Sequence, residues 1–115
     1  MKALIKLNTG PYTNVDIWFT NSPLLLEQQT KKFRDNPANA SENAGIVTYN
    51  ECRNQIVVGY FVNNPAVLSH ELSHAVISLF SYIGMPINEE TTEPFAYILE
   101  YLMDQCLDML EKCDE

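Results

Sequence analysis

Apolar residues in the first half of the chain come in short runs broken by turn-forming residues, whereas in the second half they recur with a helical period. Lys2 to Asn8 and Val15 to Thr20 are short and rich in β-branched and aromatic residues, which predicts two strands joined through the turn Asn8-Thr9-Gly10-Pro11. Ser22-Pro23 starts a helix, with Ser as N-cap and Pro at the first helical position, running to about Asp35. Asn36 to Ala44 is a polar loop, and Gly45 to Tyr49 and Gln55 to Val62 form a hairpin across Asn50 to Asn54. Asn63-Asn64-Pro65 opens a second helix that continues to about Ile83, where Gly84 stops it and Pro86 prevents its return. Ile87 to Thr91 is a short acidic loop. Thr92 or Glu93 caps a last helix, with Pro94 in its first turn, that runs to about Lys112. The order β-β-α-β-β-α-α, with no repeat or linker, predicts one α+β domain over residues 1–115: a small, mostly antiparallel sheet with helices packed on it.

Composition narrows this picture. Of the 115 residues 46% are apolar, enough for one core. The net charge is −8, and from Asn54 onward ten residues are acidic and only Lys112 is basic. That balance argues against nucleic-acid binding, which needs clustered Lys and Arg; it suits solubility or a basic protein partner. No stretch is apolar enough to span a membrane, and the N-terminal residues lack a signal-peptide pattern, so a cytoplasmic protein is expected. Cys52, Cys106 and Cys113 are scattered and odd in number; Cys106 and Cys113, a heptad apart on a helix, are about 10 Å apart along it, which favours free thiols.

The second helix carries the chemistry. His70-Glu71-Leu72-Ser73-His74 has the pattern H-E-x-x-H and contains both histidines of the chain. Residues four apart share a helix face, so the imidazoles can hold one zinc ion while Glu71 acts as general base on its water. Leu68, Leu72, Ala75, Leu79 and Ile83 form the opposite, core-facing stripe, and His70, His74, Ser78 and Ser81 share the polar side. The strand before this helix could offer an edge for an extended peptide.

Catalytic zinc sites usually have three protein ligands. The extension H-E-x-x-H-x-x-G-x-x-H is excluded, because Ile77 and Phe80 stand where Gly and His are required. A carboxylate must then be the third ligand, with Glu89, Glu90, Glu93 and Glu100 as candidates. Glu93 is preferred: it opens the last helix nineteen residues after His74, and the Gly84 turn can fold that helix back. Glu100 is the reserve.

His70-Glu71-x-x-His74 followed by a helical Glu93 resembles the gluzincin class of zinc metallopeptidases. The segment from His70 to Leu102, with H-E-L-S-H-A, Gly84 and then E-P-F-A-Y-I-L-E-Y-L, is also similar to small uncharacterised H-E-x-x-H proteins encoded by phages and prophages. The resemblance covers about a third of the chain and implies a minimal zincin-like domain, with Zn2+ as cofactor and a peptide or protein as substrate. Many gluzincins place an Asp four residues after the ligand Glu, to hold a ligand histidine; here that position is Tyr97. Asp104, Glu100 or a carbonyl would then have to take over that task.

The expected reaction is peptide hydrolysis, with Glu71 accepting a proton from water and passing it to the leaving nitrogen. The oxyanion needs a donor, for which Tyr97 is the first candidate and Tyr82, Tyr101 and Arg53 the others. Two other readings remain: a binding module in which zinc only ties two helices together, and a site for a small molecule. The stripe Glu100, Asp104, Asp108 and Glu111 reads as a solvated helix face, and Phe95, Ile98, Leu99, Leu102, Met103, Cys106 and Leu110 as core, together with Trp18.

Overall fold

The computed structural model describes residues 2–31, 44–50 and 53–113. Strands β1 (Leu4–Leu7), β2 (Asp16–Thr20), β3 (Gly45–Asn50) and β4 (Gln55–Tyr60) form one sheet in the order β1-β2-β4-β3. β1 with β2 and β3 with β4 are antiparallel, whereas β2 and β4 are parallel. Helices α1 (Pro23–Thr30), α2 (Pro65–Ile83) and α3 (Thr92–Cys113) complete the α+β fold. The stretch expected to extend the first helix to Asp35, most of the following loop and hairpin positions 51 and 52 lie outside the described residues.

The pleat sorts side chains onto two faces. Ile17, Phe19, Ile56, Val58 and Tyr60 face α2 and α3 and join Leu68, Leu72, Leu79, Phe80, Ile98 and Leu102 in the main core. Val57 points the other way, onto Leu26 of α1, with Trp18, Ile46 and Phe61 around them. The helices therefore cover both faces, not one. Ile56, Val57 and Val58 are all fully buried, as expected of an interior strand. The strand that leads into α2 accordingly has no open edge; the edges are β1 and β3. Gly59 allows α1 to lie close, because a Cβ there would stand 2.5 Å from Leu26 Cδ1.

The ends of α2 follow from local chemistry. The side chain of Asn64 accepts the Ala66 N–H at 3.1 Å, and its own N–H donates to the Tyr60 hydroxyl at 2.6 Å, which fixes the turn out of β4. Gly84 adopts φ 72°, and the Met85 N–H donates to the Phe80 carbonyl in a Schellman arrangement. The approach to α3 differs from expectation. Asn88 forms a capping box with Thr91, so Glu89–Thr91 is a 3-10 turn that leads straight into α3. Along α3, Ile98, Leu102, Cys106, Met109 and Cys113 are buried, and Phe95 meets Phe80 edge-on with ring centroids 5.5 Å apart. Gln105 ties the helix to β1 through paired hydrogen bonds with the Asn8 backbone at 2.7 and 2.9 Å. Cys106 and Cys113 form no disulfide, and burial pushes the Cys106 thiol well above its ordinary value. Among the described residues no helix is long and apolar enough to cross a membrane.

Candidate metal centre

α2 turns Leu68, Leu72, Ala75 and Leu79 into the core, and this alone sends His70 and His74 to the outer face. Both histidines are exposed, the His70 side chain to 68%. Their rings meet edge-on at 78°, and the two Nε2 atoms stand 3.3 Å apart. Two nitrogens bound to one tetrahedral ion at about 2.0–2.1 Å would be separated by roughly 3.3–3.4 Å. The imidazole pair therefore has the spacing a shared zinc ion requires. The same separation admits an N–H···N bond when one ring carries its proton on Nε2, but a bond this long and exposed contributes little.

Glu71 is the buried member of the motif. Its side chain is 12% exposed, and its Oε1 lies 4.0 Å from His70 Nε2. It occupies the boundary between the polar and apolar faces of α2, against the start of β3. A Cβ on Gly45 would stand 2.8 Å from Glu71 Cγ, 3.1 Å from the Gly59 carbonyl oxygen and 3.2 Å from Val67 Cγ1. Gly45 thus makes the space in which Glu71 sits. Among the described residues no hydrogen bond reaches the Glu71 carboxyl group. Its oxygens are not among the fully buried side-chain atoms without a partner, a condition met among the described residues only by Trp18 Nε1.

The remaining residues expected at the site are spread more widely. Among the described residues no third His, Cys, Asp or Glu joins the imidazoles in a cluster able to hold a metal ion. Glu93 is exposed in the first turn of α3, Glu89 and Glu90 lie in the preceding 3-10 turn, and Glu100 is exposed two turns further on. Among the described residues no hydrogen bond holds either histidine by its other ring nitrogen, and neither Asp104 nor Glu100 takes the orienting role expected of it. Tyr97 is 66% exposed and lines two concavities that contain no residue of α2. Arg53 lies at the hairpin end of β3 and β4, about 17 Å along β3 from Gly45 at the usual strand rise. Tyr82 is half-buried near the end of α2, two turns past His74.

Sequence reasoning missed Gly45. A glycine opening a strand reads as turn chemistry, and no local period links it to a glutamate twenty-six residues later. No protein-family model matches the chain, and neither a curated protein nor a solved structure shows significant similarity to it.

Proposed function

We propose that this protein is a zinc-dependent peptidase of gluzincin type, with His70, His74 and Glu93 as metal ligands and Glu71 as general base. The observation that carries the reading is the imidazole pair with its neighbour: two exposed imidazole nitrogens 3.3 Å apart, with the largely buried Glu71 carboxyl group 4.0 Å from one of them. Both imidazoles fit the ion. Glu93, exposed at the start of α3 and not clustered with the imidazoles, would have to move towards them to complete the usual donor set.

A zinc ion supplies Lewis acidity, which acidifies water and polarises a carbonyl. The protein supplies the rest. His70 and His74 are aligned by successive turns of α2 and need no rearrangement to act together. Glu71, confined between α2 and β3, takes a proton at Oε1 from the attacking water and returns it to the leaving nitrogen. Among the described residues no strand pairs with the outer edge of β3, which begins at Gly45 beside Glu71 and would offer backbone groups to an extended peptide. The exposure of His70 favours this reading over a purely structural ion, whose coordination is usually closed by protein ligands.

Elemental analysis and zinc titration test the proposal together with peptide-cleavage assays. His70→Ala and His74→Ala should lose the metal, and Glu93→Ala should weaken its binding about 10-fold or more. Glu71→Gln should keep zinc and lose hydrolysis. Failure of the parent protein to bind zinc at micromolar concentrations, or unimpaired cleavage by Glu71→Gln, would defeat the reading.

A further inference from the structure

A second surface lies on α3, away from the histidines. Its first turns meet the connection between β1 and β2 in a concavity of about 460 Å³ lined by Gly10, Pro11, Tyr12, Pro94, Tyr97 and Tyr101. The walls are aromatic and proline rings. Tyr97 and Tyr101 are 66% and 40% exposed, although nothing in the local fold requires two tyrosines one turn apart to face water. The same two tyrosines continue into an adjoining concavity along α3, which Glu100 and Asp104 also line. Aromatic faces and carboxylates therefore alternate on one side of the helix, and among the described residues neither Glu100 nor Asp104 is in an ion pair. The one basic side chain of α3, Lys112, is paired with Asp108 at 3.0 Å, close to the far end of the helix.

We infer that this groove binds an arginine-bearing segment of a partner protein. The chemistry selects the occupant. Apolar tyrosine faces with acidic groups at their rim attract a cation that also stacks, and a planar guanidinium does both. Its stem covers the proline and tyrosine rings while its N–H groups donate to Glu100 or Asp104. Charge complementarity acts over a wider range as well: past Asn54 ten acidic residues face a single lysine, so a basic segment is drawn to this half of the molecule. A nucleic acid or an anionic membrane would be repelled by the same field. The inference does not depend on the metal site.

A fluorescein-labelled nona-arginine peptide, with nona-lysine for comparison, provides the test at about 150 mM salt. Fluorescence anisotropy should show saturable binding of nona-arginine, at least about fivefold tighter than nona-lysine, because both carry equal charge and only the guanidinium stacks well. The double variant Tyr97→Ala/Tyr101→Ala should lose about tenfold or more of that affinity, while Tyr97→Phe/Tyr101→Phe, which keeps the rings, stays within about twofold of the parent. Glu100→Gln/Asp104→Asn should weaken both peptides. Circular dichroism establishes that each variant is folded, and amide shifts in a 15N-labelled sample should move at Gly10, Tyr12 and Tyr101. Equal binding of the two peptides, affinity unaffected by loss of the tyrosine rings, or shifts centred on α2 would each overturn the proposal.

Discussion

Replacing Gly45 by Ala tests the packing on which the site rests. The new methyl group would stand 2.8 Å from Glu71 Cγ, with the Gly59 carbonyl oxygen and Val67 Cγ1 next at 3.1 and 3.2 Å. Overpacking of this kind costs about 1–3 kcal/mol. Gly45 needs no positive φ, so the smaller conformational freedom of Ala in the unfolded chain returns about 0.4–1 kcal/mol. A net loss of about 1–2 kcal/mol follows, readable as a lower urea midpoint in chelator-treated protein. The decisive measurement is a double-mutant cycle. In a Glu71→Ala background the closest contact disappears and only the two longer ones remain, so Gly45→Ala should cost about 1 kcal/mol less than in the parent. Zinc binding should survive Gly45→Ala, because neither imidazole touches the new methyl group, while hydrolysis should fall as Glu71 is displaced. Costs that add to within about 0.5 kcal/mol would refute the seating of Glu71 against Gly45.

Two further outcomes follow from the packing. Burial holds the Cys106 thiol above its ordinary value of 9.0, so above that pH the unfolded chain releases a proton that the folded chain retains; the unfolded state then binds fewer protons, and stability falls as pH rises. At about pH 10.5 the parent should have lost about 2 kcal/mol more than Cys106→Ala relative to neutral pH, and parallel pH profiles of the two proteins would contradict this. Gly59→Ala would place a methyl group 2.5 Å from Leu26 Cδ1 and Phe61 Cζ and should cost about 1–3 kcal/mol, partly recovered in a Leu26→Ala background; an unchanged urea midpoint would show that α1 does not lie this close to β4.

Much of the fold is legible in the chain because punctuation marks its elements. Ser22, Asn64-Pro65 and Gly84 each satisfy or release a specific backbone group, and each sits where the structure begins or ends a helix. The start of α3 at Thr92 agrees with the sequence to within a residue, but the 3-10 turn ahead of it does not show there, because it depends on the capping box between Asn88 and Thr91. The unbroken run Ile56-Val57-Val58 signals an interior strand, but no local pattern states that its partner across the crossover is β2, in parallel. At the site, helical periodicity places His70 and His74 correctly, since burial of Leu68 and Leu72 fixes where the imidazoles go. It leaves Glu71, about 100° around the helix from Leu72, at the boundary between the faces, which β3 closes. Spacing alone puts Tyr97 one turn beyond Glu93 on the same face, whereas in the structure it lines the concavity between α3 and the β1–β2 connection.

The asymmetry within the motif supports the proposed site over a chance match. Two histidines on the outer face of a helix are cheap, because water satisfies their nitrogens and neither disturbs the core. Glu71 is different. Its side chain is largely withdrawn from water, and a leucine at the same boundary would avoid desolvating a carboxyl group. The fold nevertheless keeps a carboxyl group there, confines it with a glycine from another element, and holds it 4.0 Å from His70. A carboxyl group confined beside two converging imidazole nitrogens has the position that the proposed reaction asks of a base in place before its substrate arrives.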